Sequence, residues 1–151
     1  MGGKDKPLLG WHGHPMIDRV LASVPSAMPK IISANRHLEL YQQRGNVVTD
    51  ESVRGVITQA ESPAKNGPLV GLLAGLSVLQ TEWVLVSPGD TPTLPDQWWQ
   101  NMFAGIDTTR QIGVAHDGHR QQHLHLLVHR DLMSNLTSYI KAGHHEVFRW
   151  L

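Results

Sequence analysis

The stretch Glu82-Trp83-Val84-Leu85-Val86-Ser87-Pro88-Gly89-Asp90-Thr91-Pro92 constrains this chain more than any other. Trp83 to Val86 is a short apolar run suited to one buried strand. Pro88, Gly89 and Pro92 then force a turn, since proline cannot extend a ladder and glycine admits sharp bends. One carboxylate, Asp90, sits in that turn. In open α/β sheets, ligands bind just beyond the carboxyl ends of strands. A carboxylate there can hold a divalent cation together with a substrate's phosphates. Aspartate also caps turns that bind nothing. On the pattern of this stretch alone, both readings stand.

Around it, helical and extended segments alternate. Met16, Ile17, Val20, Leu21 and Val24 follow Pro15 at three- and four-residue spacing, which predicts an amphipathic helix ended by Pro25 and Pro29. Lys30 to Asn35 reads as a short strand entering a polar turn, and His37 to Gln43 as one or two helical turns closed at Gly45. Val47-Val48 is a further strand, ending at Thr49-Asp50-Glu51. Ser52 to Asn66 shows no period and reads as an exposed loop. Leu69 to Gln80 predicts a buried helix on which Gly71 and Gly75 leave one face bare. Its start at Gly67-Pro68 could offer backbone N–H groups to a ligand, although core packing explains most of its residues. Asp96 to Gly105 reads as a helix carrying Trp98, Trp99, Met102 and Phe103. Ile112 to Ala115 and Gln122 to Arg130 read as paired strands around an Asp117-Gly118 turn. Asp131 then caps a helix through about Ala142, which Gly143 stops. This alternation predicts a parallel sheet with crossover helices.

Composition narrows the function classes. A chain of 151 residues fits one domain, spanning 1–151. Lys+Arg and Asp+Glu balance at 13 each, so no basic footprint argues for nucleic acid or acidic membranes. The absence of cysteine excludes disulfides and thiolate sites. No apolar run approaches the ~18 residues of a membrane span, and no signal peptide opens the chain, so a soluble cytoplasmic protein is expected. Among the 10 histidines, His123 and His125 are spaced by two and would share one face of a strand, near His116 and His119. With no cysteine and no His-Glu-x-x-His motif, they read as polar strand-edge and loop residues rather than metal ligands. At the start, Gly2, Gly3, Lys4 and Lys6 could approach a phosphate or form a solvated terminus.

Six motifs occur in order: Gly2-Gly3-Lys4-Asp5-Lys6-Pro7-Leu8-Leu9, Gly13-His14-Pro15-Met16-Ile17, Ser33-Ala34-Asn35-Arg36, Asp50, Gly67-Pro68-Leu69-Val70-Gly71 and Ser87-Pro88-Gly89-Asp90-Thr91-Pro92. Together with His116-Asp117-Gly118 and Tyr139-Ile140-Lys141-Ala142-Gly143, they resemble the molybdenum cofactor guanylyltransferases, the MobA type of nucleotidyltransferase. The resemblance implies an α/β fold with a Rossmann-like, doubly wound, mostly parallel sheet. It implies transfer of GMP from GTP to molybdopterin, with pyrophosphate leaving and Mg2+ as the cofactor. Lys6 and Asp90 would be catalytic, Lys6 as a phosphate-binding cation and Asp90 as the magnesium ligand. Ser33, Asp50, Leu69 and Gly71 would join them in binding the nucleotide, with the Gly67–Gly71 backbone against the guanine edge. The expected partners are GTP, molybdopterin and other proteins of molybdenum cofactor biosynthesis, and the expected state is a monomer.

The chain also departs from that family. The opening strand, with its Leu-Ala-Gly-Gly-x-x-x-Arg phosphate loop, and the C-terminal segment with its Asn-x-Asn-Thr-Pro stretch are not in it, which predicts a domain truncated at both ends. Ser33 stands where the family has a nucleotide-contacting asparagine, segment 51–66 is longer, and Gln121-Gln122-His123-Leu124 replaces a His-Pro segment. Two alternatives follow: a relative using CTP or another acceptor, and a non-catalytic remnant that binds a nucleotide or a partner.

Overall fold

The computed structural model describes residues 5–57, 67–107 and 109–151, so the predicted Gly2-Gly3-Lys4 contacts lie outside the described residues. A 3-10 turn over Lys6–Leu8 leads into a small antiparallel hairpin of β1 (Gly10–Trp11) and β2 (His14–Pro15). Helix α1 (Met16–Ala22) starts directly after Pro15 and buries Ile17 and Val20, as the spacing predicts.

β3 (Ile31–Ser33) and β4 (Asn46–Val48) pair in parallel, with Ile32 opposite Val47 and Ser33 opposite Val48. The crossover between them carries α2 (Leu38–Gln42), whose buried Tyr41 clusters with Ile17 and Ile32. The predicted loop from Ser52 is instead opened by helix α3 (Glu51–Ile57). Val53 and Ile57, one helical turn apart, are its buried stripe. The rest of that predicted loop, 58–66, lies outside the described residues.

Helix α4 (Pro68–Val78) occupies the centre. Leu69, Val70, Leu72, Leu73, Ala74 and Leu76 are all buried, and a helix apolar on every side belongs inside a core. Pro68 opens it, where a missing N–H costs nothing. α4 packs against β3, β4, α3 and α6 (Met133–Lys141).

β5 (Trp83–Val86), β6 (Ile112–His116) and β7 (Gln121–His129) form a three-stranded antiparallel sheet in the order β5-β7-β6. Of the mostly parallel pairing expected, the described residues show β3–β4. β6 and β7 are joined by a tight turn at Asp117, and strands so joined must run antiparallel. α5 (Trp98–Ala104) lies against β6 and β7, and α7 (Val147–Trp150) closes the chain. Asp131 does not cap α6 directly, because a 3-10 turn over Arg130–Leu132 intervenes and His129 accepts its N–H. Val48 of β4, Val84 of β5, and Leu126 and Val128 of β7 belong to one core cluster with α4 and α6, so both sheets rest on the same helical layer. Among the described residues, no helix is long and apolar enough to cross a membrane.

Candidate functional site

The turn after β5 is held by close approach. A Cβ on Gly89 would lie 3.0 Å from Ile17 Cδ1 and 3.1 Å from Pro7 Cβ, so any larger residue would push this turn off α1 and the Lys6–Leu8 turn. Pro7 follows Lys6 and Gly89 precedes Asp90, so packing brings the Lys6 and Asp90 segments together, and both side chains are exposed. The Lys6 segment is anchored from behind. Tyr41 Oη donates to Asp5 Oδ2 at 2.9 Å, and the Arg36 guanidinium lies 3.8 Å from the same oxygen. Burial, reinforced by the Asp5 carboxylate, pushes the Tyr41 phenol well above its usual range, so it stays a donor at any ordinary pH.

A second group gathers where β3 and β4 end. A Cβ on Gly71 would stand 2.6 Å from Ser33 Oγ, so the first turns of α4 lie hard against the last residue of β3. Ser33 and Asn35 are exposed, and Asp50 is 6% exposed. The Asp50 N–H donates to Asn35 Oδ1 at 2.9 Å. Burial raises the Asp50 carboxyl above the usual carboxylate range, while a hydrogen bond from the Asn35 side chain and the charge of Arg54 pull it back. The Leu69 side chain is 2% exposed and belongs to the core, which leaves its backbone N–H, in the unsatisfied first turn of α4, for any ligand. The two groups adjoin through α1: Ile17 meets Gly89 on one side and clusters with Ile32, the neighbour of Ser33, on the other.

Beside Asp90 opens a cleft of about 710 Å³. It is lined by Asp90 and Thr91 from the turn after β5, and by Arg120, Gln122, His123 and His125 at the start of β7. The last two come from an irregularity in β7. Val114 of β6 pairs with Leu126 but Ala115 with Gln122, so His123, Leu124 and His125 have no partner across the ladder. Such bulges re-aim side chains. The predicted shared face of His123 and His125 is lost for this reason: His123 is exposed and His125 is 8% exposed. The His125 ring meets the Trp98 ring edge-on, with centroids 6.0 Å apart, and Trp98 Nε1 donates to Ser23 Oγ at 3.0 Å. Sequence reasoning did not place His125 on this cleft. A signal existed, since it interrupts the apolar run from Leu124 to Val128.

The donor set suits a hard cation. Among the described residues no three His, Asp or Glu side chains gather closely enough to enclose a metal ion, whereas Asp90 is an exposed carboxylate on an open cleft. Mg2+ is commonly held by one or two carboxylates, with water and substrate phosphates completing its shell.

The profile of the MobA-like NTP transferase domain matches residues 1–151. A molybdenum cofactor guanylyltransferase of Vibrio cholerae serotype O1 is 32% identical over 148 residues, covering 97% of this chain and 68% of the relative. One from Yersinia pestis (strain Pestoides F) is 32% identical over 156 residues, covering 100% of this chain and 73% of the relative. The chain therefore spans roughly two thirds or more of the relatives' length. Among solved structures, a protein of Aquifex aeolicus VF5 superposes with a TM-score of 0.71 at 20% identity, covering 90% of this chain and 66% of that one. Molybdopterin-guanine dinucleotide biosynthesis protein A of Archaeoglobus fulgidus superposes with a TM-score of 0.69 at 14% identity, covering 98% of this chain and 71% of that one. These structural likenesses speak to the α/β nucleotidyltransferase fold.

Proposed function

We propose, from the premise that this chain belongs to the MobA-like NTP transferase domain family, that it is a nucleotidyltransferase that transfers GMP from GTP to molybdenum-molybdopterin. The products are the molybdopterin guanine dinucleotide cofactor and pyrophosphate. The observation that carries the reading is the contact of Gly89 with Pro7, which brings a lysine segment and an exposed carboxylate to one place at the end of β5.

In this reading an oxygen of the acceptor's phosphate attacks the α-phosphorus of GTP, the bond to the β-phosphate oxygen breaks, and pyrophosphate leaves. Catalysis of such a transfer is mostly positioning and neutralisation of charge. Lys6 places an ammonium against the phosphates. Asp90 would hold Mg2+, which would supply neutralisation of phosphate charge and polarisation of the phosphorus–oxygen bonds. Ser33, the Leu69 N–H and the bare backbone at Gly71 face the guanine, and Asp50 supports the guanosine end from the close of β4. The chain works as one domain, a cytoplasmic monomer that meets other proteins of molybdenum cofactor biosynthesis.

Calorimetric titration with GTP, CTP and ATP, each with and without magnesium, tests this. Selective, magnesium-dependent binding of GTP is expected. Preference for CTP would move the assignment to a cytidylyl-transferring relative, with Ser33 as the first residue to re-examine. In Asp90→Ala, magnesium-dependent binding is expected to vanish while the circular dichroism spectrum and Tm stay unchanged, because the side chain is exposed. Wild-type affinity in that variant would sink the role given to Asp90.

A further inference from the structure

We infer that His125 contacts the substrate, its Nδ1–H donating a hydrogen bond to a phosphoryl oxygen held in the cleft that Asp90 also lines. This rests on the functional reading above and adds a residue to it.

The geometry starts from the two ring nitrogens. Nε2 is sealed from solvent and has no hydrogen-bond partner. In folded proteins a buried N–H without an acceptor is rarer than a buried acceptor whose lone pair is unfilled. The proton therefore belongs on Nδ1, and Nε2 points inward unprotonated. His125 lines the cleft, and with Nε2 sealed, Nδ1 is the nitrogen left to open on it. The edge-on contact with Trp98, itself tied to Ser23, holds the ring in that orientation. The unpaired run 123–125 of β7 is what turns His125 out of the ladder and into the cleft wall.

The surroundings select the ligand. The same cleft is lined by the Asp90 carboxylate and by Arg120 and Gln122. A proton on the sealed Nε2 would have no acceptor, so His125 enters as a neutral donor rather than a cation. A neutral, oriented donor in a partly desolvated wall suits a phosphoryl oxygen on which charge builds during transfer. That oxygen belongs either to the nucleotide or to the acceptor's phosphate.

Histidine-selective 15N labelling and long-range proton–nitrogen NMR read the tautomer in the free chain. Nδ1 is expected to carry the proton. A protonated Nε2 or a doubly protonated ring would overturn the inference. Adding GTP with magnesium is expected to shift the Nδ1–H resonance if the nucleotide supplies the oxygen. A shift with inorganic phosphate added to that complex, and not before, assigns the oxygen to the acceptor. A chain that binds GTP while the His125 resonance stays in place throughout overturns this inference and leaves the functional reading intact. A wild-type chain that binds no nucleotide overturns the functional reading first.

Two variants extend the test. His125→Phe keeps the edge contact with Trp98 and removes both nitrogens, so the fold should hold or gain stability while kcat falls about 10- to 100-fold with KM for GTP little changed. His125→Asn restores an N–H near the Nδ1 position and should recover most of that loss. Wild-type turnover by a folded His125→Phe protein would overturn the proposal, since a purely structural ring predicts that outcome. If His125→Phe does not fold, the tautomer and shift measurements on the unsubstituted chain still decide.

Discussion

At Asp50 a carboxylate that water would solvate freely in the unfolded chain is 6% exposed, and burial outweighs the help of Asn35 and Arg54. The folded pKa therefore lies above the unfolded value of ~3.9. Below ~3.9 the group is protonated in both states and costs nothing. As pH rises through the raised folded value, the native state must ionise a buried group and loses stability. Asp50→Asn should remove that loss, raising Tm at neutral pH and flattening its pH dependence above ~3.9. GTP affinity should fall in the same variant. Thermal melts from pH 3 to 8 check the first claim, and an unchanged Tm at pH 7 would remove burial as the dominant cause. Asp90 was legible as a candidate because its carboxylate follows a short apolar strand, while Asp50 was named through the family resemblance. The burial of His125 was not legible, because it depends on an irregular ladder that the alternation His123-Leu124-His125-Leu126 conceals.

Among the elements, α4 and β3 meet where the candidate base-binding surface lies. Gly71→Ala would set a Cβ 2.6 Å from Ser33 Oγ. The hydroxyl can rotate away, and alanine favours a helix over glycine by about 1 kcal/mol, so overall stability should change little or rise. The displaced hydroxyl would leave its place in the site, and GTP binding should weaken. Ser33→Ala combined with Gly71→Ala removes the clash, so a double-mutant cycle read by calorimetry should show clear coupling between the two positions. Strict additivity would mean that they act independently. Most elements could be read from apolar spacing, α4 best of all, because a continuous buried run resists misreading. α3 could not: Gly55 and Ser52 weaken its propensity, although Val53 and Ile57 stand four apart. Its stability comes from contacts with α4 and α6, which no local window contains.

For the molecule as a whole, helices rather than strands join the two sheets. The β3–β4 pair and the β5-β7-β6 sheet share no ladder among the described residues, yet both feed one core through α4. Leu73, 0% exposed, sits in that core. Leu73→Ala should cost about 2–5 kcal/mol, a large part of the 5–15 kcal/mol typical of a folded domain. In urea, tryptophan fluorescence and far-ultraviolet circular dichroism should shift together, and separate transitions would show that the sheets unfold independently. The β6–β7 pairing was legible from the Asp117-Gly118 turn between two apolar runs, but helix–strand alternation cannot say that β7 inserts between β5 and β6. The contact of Gly89 with Pro7 and Ile17 also bears on time. Residue 7 leaves the ribosome long before residue 89 exists, so the Lys6 turn must wait for its partner. Contacts so distant along the chain form late in folding, after local helices. The turn proposed to be catalytic should then form late and open early on unfolding, and a bound nucleotide, by holding it shut, should slow the whole chain's unfolding.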